Sequence, residues 1–276
     1  MSPLVSTDWL AANLGKVVLF DTTMYLPTEP KNGMEEYVKA HIPGALFFDI
    51  DVVADQETAL PHMLPTTGRF EKLVGALGVS NDSMVVFYDQ KGLFSAARGW
   101  WMMGVFGHDK AAVLEGGLPK WVGEGRATEA GPPPMTAKRE FRADFRASRV
   151  RGIGDLLANV MSHKELVVDV RAGGRFRAEL PEPRAGMRSG HIPGAVNLPS
   201  TDMFGPDLLF LPPDVLRAKL LAAGVDGTRP VVTSCGSGVT APIVTLAMVV
   251  AGLPPGAVYD GSWTEWGGRA DTPIEV

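Results

Sequence analysis

A segment that occurs twice in the chain constrains its fold more than any other feature. The sequence HIPGALFF at 41–48 recurs as HIPGAVNL at 191–198. Further segments match in the same order in the two halves: 17–21 with 166–170, 77–88 with 223–234, and 114–121 with 259–266. Collinear matches of this kind indicate a tandem duplication of one fold unit.

The segment between the two copies has the composition of a surface connector. Residues 124–140 contain three consecutive prolines and show no apolar periodicity, as is typical of a linker. We therefore expect an N-terminal domain at 1–125, a linker at 126–140 and a C-terminal domain at 141–276.

Each half alternates strand-like and helix-like segments. The runs VVLFD at 17–21 and MVVFY at 84–88 are typical of buried strands, and the apolar residues of 70–77 repeat with helical spacing. This alternation predicts an α/β fold, in which each half is a mostly parallel sheet with helices on both faces. Ligands in such folds bind where the carboxyl ends of strands meet the amino ends of helices.

Composition narrows the class of protein. The chain has 276 residues, 45% of them hydrophobic, with a net charge of -5 and one cysteine. The apolar run at 241–251 is much shorter than the roughly 20 residues of a membrane span, and the acidic balance without Lys/Arg clusters argues against nucleic-acid binding. One cysteine allows no internal disulfide, and residues 1–15 do not resemble a signal peptide, so we expect a cytoplasmic protein.

The single cysteine lies where a strand is expected to turn into a helix, in VVTSCGSGVTAPIV at 231–244. Gly236 and Gly238 allow a tight turn, and the N–H groups that lead into the helix have no intrahelical acceptor. We expect these N–H groups to stabilise a thiolate, a persulfide or a bound anion at Cys235. The alternative is a buried core cysteine, which is the commonest environment of a lone cysteine.

Other uses of a cysteine loop fit the sequence poorly. Phosphatases of the Cys-x5-Arg type need an arginine to clamp phosphate oxygens at the position of Ala241. One cysteine and five scattered histidines show no zinc-ligand spacing. No dinucleotide or phosphate motif is present, so we expect neither a metal nor an organic cofactor.

Several segments together resemble the two-domain rhodanese family of sulfurtransferases. The resemblance extends over nearly the whole chain. The segments that carry it are the HIPGA pair, PHMLP at 61–65, GRFRAELPEPRAG at 174–186, CGSGVTA at 235–241 and YDGSWTEWG at 259–267. The resemblance implies two similar α/β domains with one active site in the C-terminal half. Asp89 stands in the N-terminal copy where Cys235 stands in the other, so only the C-terminal copy has the nucleophile.

The resemblance also implies roles for individual residues around the cysteine. It makes Cys235 the nucleophile and assigns substrate contacts to the loop residues Gly236, Gly238, Val239 and Thr240. In the same family pattern, substrate-binding arginines match Arg175 and Arg184. The residues alone leave open that both arginines are ordinary solvated side chains.

A proton relay is implied by the same resemblance. Ser237 would be completed by His62 and Asp51, so that the site would draw residues from both halves of the chain. The residues alone also allow simpler roles, with His62 as a surface loop histidine and Asp51 as a capping or solvated carboxylate.

The composition of the loop favours one sulfur donor. Thiosulfate enzymes of the family resemble Cys-Arg-Lys-Gly here, whereas this chain has the neutral Gly236 and Ser237. A neutral loop suits 3-mercaptopyruvate, which carries one carboxylate, better than the dianion thiosulfate. The resemblance implies a thiol or cyanide acceptor, with thioredoxin as one candidate. Thiosulfate transfer and a non-catalytic sulfur carrier or regulatory module remain the alternatives.

Overall fold

The computed structural model describes residues 2–26 and 28–276, and its central feature is a pair of five-stranded sheets. The chain separates into two compact units. The first unit comprises residues 1–56 and 64–146, and the second comprises residues 57–63 and 147–276.

The described residues of the first unit form five strands and six helices. The strands are β1 (Leu4–Val5), β2 (Val18–Asp21), β3 (Leu46–Phe47), β4 (Val85–Tyr88) and β5 (Ala111–Leu114). The helices are α1 (Thr7–Asn13), α2 (Gly33–Lys39), α3 (Ile50–Val53), α4 (Thr67–Ala76), α5 (Ala96–Val105) and α6 (Gly117–Gly123). The strand order is β1-β5-β4-β2-β3, and these neighbours pair in parallel.

The second unit repeats this arrangement. Its strands are β6 (Val150–Arg151), β7 (Leu166–Asp169), β8 (Val196–Asn197), β9 (Val231–Ser234) and β10 (Ala257–Tyr259). Its α-helices are α7 (Ile153–Ser162), α8 (Gly173–Phe176), α9 (Pro213–Ala222), α10 (Ala241–Val250) and α11 (Ser262–Trp266), and two 3₁₀ helices span Ala147–Arg149 and Ser200–Met203. The strand order β6-β10-β9-β7-β8, again parallel, places each strand where its counterpart lies in the first unit. The predicted duplication and the predicted α/β fold are confirmed.

The central strands explain where a site can form. All residues of β4 and β5, and of β7 and β9, are buried, as happens when helices cover both faces of a parallel sheet. The helices that follow β4 and β9 are buried as well: α5 along its whole length and α10 over its first eight residues. The loops at the carboxyl ends of β4 and β9 therefore begin on a rigid support, and they start at Asp89 and Cys235.

The two histidines of the repeated HIPGA segment have the same structural role. His41 Nδ1 lies 2.8 Å from the carbonyl oxygen of Tyr37, and the two rings stack with centroids 4.0 Å apart. His191 Nδ1 lies 2.9 Å from the carbonyl oxygen of Phe176, with ring centroids 3.7 Å apart. Each imidazole thus fixes the turn that leads into the short strand β3 or β8.

The buried carboxylate at the end of β2 has different partners from its counterpart at the end of β7. Asp169, at the end of β7, is paired with Arg171, whose Nε lies 3.0 Å from both carboxylate oxygens. Asp21, its counterpart at the end of β2, instead accepts hydrogen bonds from Thr23 and from Gln90 Nε2. Burial raises the pKa of Asp21 to about 6; these hydrogen bonds oppose the shift, and Asp89 adds to it. The first unit therefore holds a carboxyl group that is costly to ionise.

This difference predicts a pH dependence of stability. Because the folded state keeps a proton on Asp21 up to about pH 6, whereas the unfolded chain loses it near pH 4, ionisation of Asp21 lowers stability as pH rises between these values. The Asp21→Asn variant lacks this loss. The difference in free energy of unfolding between Asp21→Asn and the unmodified chain should therefore rise by roughly 2–3 kcal/mol, in favour of the variant, as the pH increases from 4 to 7.

Urea unfolding of both proteins across this pH range measures the effect. Asp82→Asn is the matched control, since the Asp82 side chain is 98% exposed, and its difference from the unmodified chain should stay flat. An equally flat difference for Asp21→Asn would contradict the assigned pKa.

Candidate active site

Cys235 lies directly after β9, and α10 begins at Ala241. Pro242 stands in the first turn of α10, where its missing N–H leaves no helical hydrogen bond unmade. The predicted strand, loop and helix around the single cysteine are therefore confirmed. Cys235 is only 1% exposed, so burial alone fits both of the alternatives that the sequence leaves open.

The contacts of the sulfur distinguish these alternatives. The N–H of Gly238 donates to Cys235 Sγ over 3.1 Å. Gly238 has φ of 79°, in the left-handed region that glycine adopts without a steric penalty. Ser237 and Val239, on either side of Gly238, are both buried. The glycine at 238 thus turns a backbone donor toward the sulfur, which a purely apolar core position would not offer.

The amino end of α11 supports the loop from behind, and sequence reasoning missed this contact. The N–H of Trp263 donates to the carbonyl oxygen of Cys235 over 3.0 Å, and that of Thr264 donates to the carbonyl oxygen of Gly236 over 2.8 Å. Ser262 Oγ accepts the N–H of Cys235 over 3.1 Å and lies 3.9 Å from the sulfur. Ser262, Trp263 and Thr264 therefore fix the backbone of Cys235 and Gly236.

The internal repeat contains a signal for Ser262. Its counterpart in the first unit is Gly117, and the two residues share left-handed backbone, with φ of 47° and 54° respectively. Glycine suits such a position, whereas serine is strained there. The cysteine-bearing copy thus has a serine at a strained backbone position, and the hydroxyl of this serine contacts Cys235.

Arg175 lies next to the cysteine loop. A Cβ placed on Gly236 would be 3.3 Å from Arg175 Nη2, so the guanidinium lies close to the loop backbone. Arg175 also forms a two-point ion pair with Glu182: Nε lies 3.1 Å from Oε1, and Nη2 contacts Oε2. Of the two predicted substrate-binding arginines, Arg175 is therefore held at the loop by a buried carboxylate that sequence reasoning did not identify.

Arg184 and His62 lie together in the second unit. Arg184 Nη2 is 3.3 Å from His62 Nε2. A guanidinium has no acceptor, so Arg184 is the donor in this contact and His62 Nε2 the acceptor. His62 is 5% exposed and has φ of 62°. The interpretation of His62 as an exposed loop histidine is therefore wrong.

Asp51 belongs to the first unit, in the first turn of α3. The residue is exposed, and its N–H donates to the capping side chain of Asp49 over 2.9 Å. Capping is thus the role of Asp49 rather than Asp51. The part of Asp51 in a proton relay stays a prediction.

The loop of the first unit that corresponds to the cysteine loop is closed by its own side chain. Asp89 Oδ2 accepts N–H groups from Phe94, Ser95 and Ala96 at 2.6, 2.8 and 2.9 Å. Asp89 Oδ1 accepts the N–H of Lys91 over 2.9 Å. The loop N–H groups of the first copy therefore converge on a carboxylate, which occupies the place that the sulfur has in the second copy.

Comparison with known proteins agrees with this architecture. The model of the rhodanese-like domain matches the chain twice, at residues 6–124 and 153–269. The chain belongs to the rhodanese family. Both matched regions fall on the repeated α/β arrangement, and the second contains the cysteine loop.

Similar sulfurtransferases align with this chain over nearly its whole length. A 3-mercaptopyruvate sulfurtransferase of Escherichia coli K12 is 40% identical, with 98% of this chain and 97% of that protein aligned. A mitochondrial thiosulfate/3-mercaptopyruvate sulfurtransferase of Arabidopsis thaliana is also 40% identical, with 99% of this chain and 78% of that protein aligned. The crystal structure of SseA from Escherichia coli, described as a 3-mercaptopyruvate sulfurtransferase with the rhodanese fold, superposes with a TM-score of 0.85 at 38% identity and covers 95% of this chain and 99% of its own.

One further observation concerns the helices. Within residues 2–26 and 28–276, none is long and apolar enough to cross a membrane.

Proposed function

We propose that the chain is a sulfurtransferase that moves a sulfur atom from 3-mercaptopyruvate to a thiol or cyanide acceptor through a persulfide on Cys235. The observation that carries this proposal is the Gly238 N–H directed at Cys235 Sγ over 3.1 Å. Arg175 lies beside the same loop. The second unit thus brings together a sulfur nucleophile, a donor that stabilises negative charge on it and a cation for a carboxylate.

The first half-reaction follows from these parts. The Cys235 thiolate attacks the thiol sulfur of 3-mercaptopyruvate, and the bond between that sulfur and carbon breaks. The electron pair of this bond stays on carbon as the enolate of pyruvate, which then takes up a proton. The enzyme is left with a persulfide, whose charge the loop donor Gly238 stabilises together with Gly236, Val239 and Thr240 around it.

Two arginines recognise the donor. Arg175 and Arg184 both carry planar guanidinium groups, which form paired hydrogen bonds with a carboxylate. Arg175 is held beside Gly236, and Arg184 donates a hydrogen bond to the imidazole of His62. A donor carboxylate between them would be oriented with its thiol toward Cys235.

Ser237, His62 and Asp51 supply the proton that the enolate needs. Ser237 is close in sequence to the nucleophile and delivers the proton, while His62 relays it and Asp51 orients the imidazole. The bond between Arg184 and His62 Nε2 supports this division of roles, because a carboxylate that binds Arg184 would release His62 Nε2 for proton exchange.

Replacement of His62 tests the relay. His62→Ala should lower the rate of pyruvate release in a single turnover by about a hundredfold, the usual size of general acid–base catalysis. Reaction of the preformed persulfide with a small thiol should change much less, since that step needs no enolate proton. Rapid-quench measurement of both half-reactions separates the effects.

His163→Asn serves as a control, because His163 lies in the same unit and is exposed at the end of α7. It should leave both half-reactions unchanged. Equal losses in the two half-reactions of His62→Ala would rule out the proton relay and leave His62 a structural partner of Arg184.

The proposal has three further parts: the acceptor of the sulfur atom, the location of the protein in the cell and the limits of the two domains. Thioredoxin is the proposed protein acceptor, to be compared with glutathione and cyanide in the same assay. A cytoplasmic location is proposed from the single cysteine, and cell fractionation tests it against the mitochondrial location named for the Arabidopsis thaliana relative. Limited proteolysis tests the proposed linker at 126–140.

A comparison of two donors tests the function itself. Steady-state transfer is measured with 3-mercaptopyruvate and with thiosulfate on the same preparation. We expect the larger kcat/KM for 3-mercaptopyruvate, since Gly236 and Ser237 add no charge for a dianion. A larger value for thiosulfate would overturn the donor assignment, and transfer from neither would overturn the enzyme assignment in favour of a binding module.

A further inference from the structure

A buried cluster of charged side chains lies behind the cysteine loop. Arg171 Nη2 lies 2.6 Å from Asp169 Oδ2, and Arg171 Nη1 lies 2.8 Å from Glu182 Oε1. Glu182 in turn holds Arg175 through Nε and Nη2. The side chains of Asp169, Arg171 and Glu182 are 4% exposed or less, whereas that of Arg175 is 23% exposed. Arg175 is thus the outermost member of a network that reaches into the unit.

The charges of this cluster cancel. It contains two carboxylates and two guanidinium groups, and Glu182 bridges the two arginines. Arg175 therefore faces the loop with its charge compensated by the carboxylate behind it. Arg184 differs, because its hydrogen-bond partner among the described residues is the imidazole of His62 rather than a carboxylate.

The mounting of the cluster connects it to the loop. The Arg171 guanidinium lies over the Trp263 ring, 4.1 Å from its centroid. The backbone N–H of the same Trp263 donates to the carbonyl oxygen of Cys235. On the other side, Arg175 Nη2 lies beside Gly236. A change of charge at Glu182 is therefore transmitted to the donor site through Arg175, with no need for Glu182 to touch the donor.

We propose that Glu182 is a positioning residue that sets the charge preference of the donor site: it fixes Arg175 beside Gly236 and compensates the charge of its guanidinium. This inference rests on the proposed sulfur-transfer function. Compensation of Arg175 makes the donor site less positive, which favours 3-mercaptopyruvate, a monoanion, over thiosulfate, a dianion. Removal of the Glu182 charge should therefore favour the dianion.

The test is the ratio of kcat/KM for thiosulfate to kcat/KM for 3-mercaptopyruvate, measured on one preparation so that the active fraction cancels. Glu182→Gln should raise this ratio about tenfold, the effect of one added unit charge close to a partly buried site. Glu182→Asp keeps the charge, so its ratio should stay close to that of the unmodified chain even if both rates fall. Because added salt screens the charge, the rise in Glu182→Gln should shrink as ionic strength increases.

Glu179→Gln is the matched control. Glu179 makes the same kind of two-point contact with Arg177, at 2.8 Å for each hydrogen bond, but both side chains are more than half exposed. Its donor ratio should not change. If Glu182→Gln does not fold, Glu182→Met removes the same charge with a side chain of similar length and gives the same test.

The outcomes separate this inference from the proposed function. An increased donor ratio in Glu182→Gln, with unchanged ratios in Glu182→Asp and Glu179→Gln, supports the role of Glu182. An unchanged ratio in Glu182→Gln, or the same increase in Glu182→Asp, overturns that role while wild-type transfer from 3-mercaptopyruvate leaves the function standing. Absence of transfer from either donor in the unmodified chain overturns both.

Discussion

Cys235→Ser is expected to lose sulfur transfer by roughly a thousandfold or more, the size of effect that follows removal of a covalent nucleophile. A serine hydroxyl is not ionised near neutral pH, and it cannot hold a sulfur atom as a persulfide. The chain has no second cysteine that could substitute. The loss should appear equally with 3-mercaptopyruvate and with thiosulfate, because both donors must pass through the same covalent intermediate.

The fold should survive this substitution. Serine is slightly smaller than cysteine, and its hydroxyl can accept the Gly238 N–H that the sulfur accepts in the unmodified chain. The backbone contacts of residue 235 with Ser262 Oγ and with the N–H of Trp263 do not depend on the side chain. The thermal midpoint is therefore expected to change by no more than a few degrees, as for about 1 kcal/mol. Transfer within about tenfold of the unmodified chain by a folded Cys235→Ser would exclude the persulfide mechanism.

Asp89→Ala is expected to destabilise the first unit by about 3 kcal/mol, since it leaves buried N–H groups without their acceptor. In the folded chain the Asp89 carboxylate accepts four N–H groups, from Lys91, Phe94, Ser95 and Ala96. Asp89 itself is fully buried, so little water is available to replace these bonds. The free energy of unfolding from urea titration measures the loss.

Asp89→Asn separates hydrogen bonding from volume. The amide keeps one oxygen, which can accept the three N–H groups now at Oδ2, while its NH₂ group faces the N–H of Lys91. About half of the alanine loss is expected for this variant. If Asp89→Ala costs less than about 1 kcal/mol, the loop of the first unit is not held by its carboxylate.

The repeat made the fold predictable. Once 41–48 and 191–198 are recognised as copies, the buried runs before them become equivalent strands, and parallel sheets follow from the alternation of strand and helix. The cysteine loop was equally predictable from the sequence, because a run of apolar residues, two glycines and a helix-forming segment follow one another along the chain. These features depend on local order in the sequence, and the structure agrees with them at β9, Gly238 and α10.

The supporting residues were not predictable in the same way. Ser262 contacts Cys235 across 27 residues of chain, and Glu182 contacts Arg175 through a bend of the chain between them; neither residue belongs to a periodic pattern. Their types are also common on surfaces, so composition does not single them out. Only the comparison of Ser262 with Gly117 in the other copy contains a local hint.

The compact units divide after Arg146, and residues 57–63 belong to the second unit. The linker at 126–140 and the C-terminal domain from residue 141 stay a prediction from the sequence. A connector without apolar periodicity shows that a boundary is near, but its contacts decide to which unit each residue belongs. For instance, Arg146 forms a two-point ion pair with Asp109 of the first unit. The segment 57–63 carries no compositional mark of its placement, although it contains His62.

The most direct test of the central claim is the intact mass of the protein after brief exposure to 3-mercaptopyruvate in the absence of an acceptor. The account predicts that the unmodified chain gains the mass of one sulfur atom, that a thiol acceptor removes this mass, and that Cys235→Ser gains nothing. A protein that turns over 3-mercaptopyruvate but shows no gain, or a Cys235→Ser variant that gains the same mass, would contradict the account.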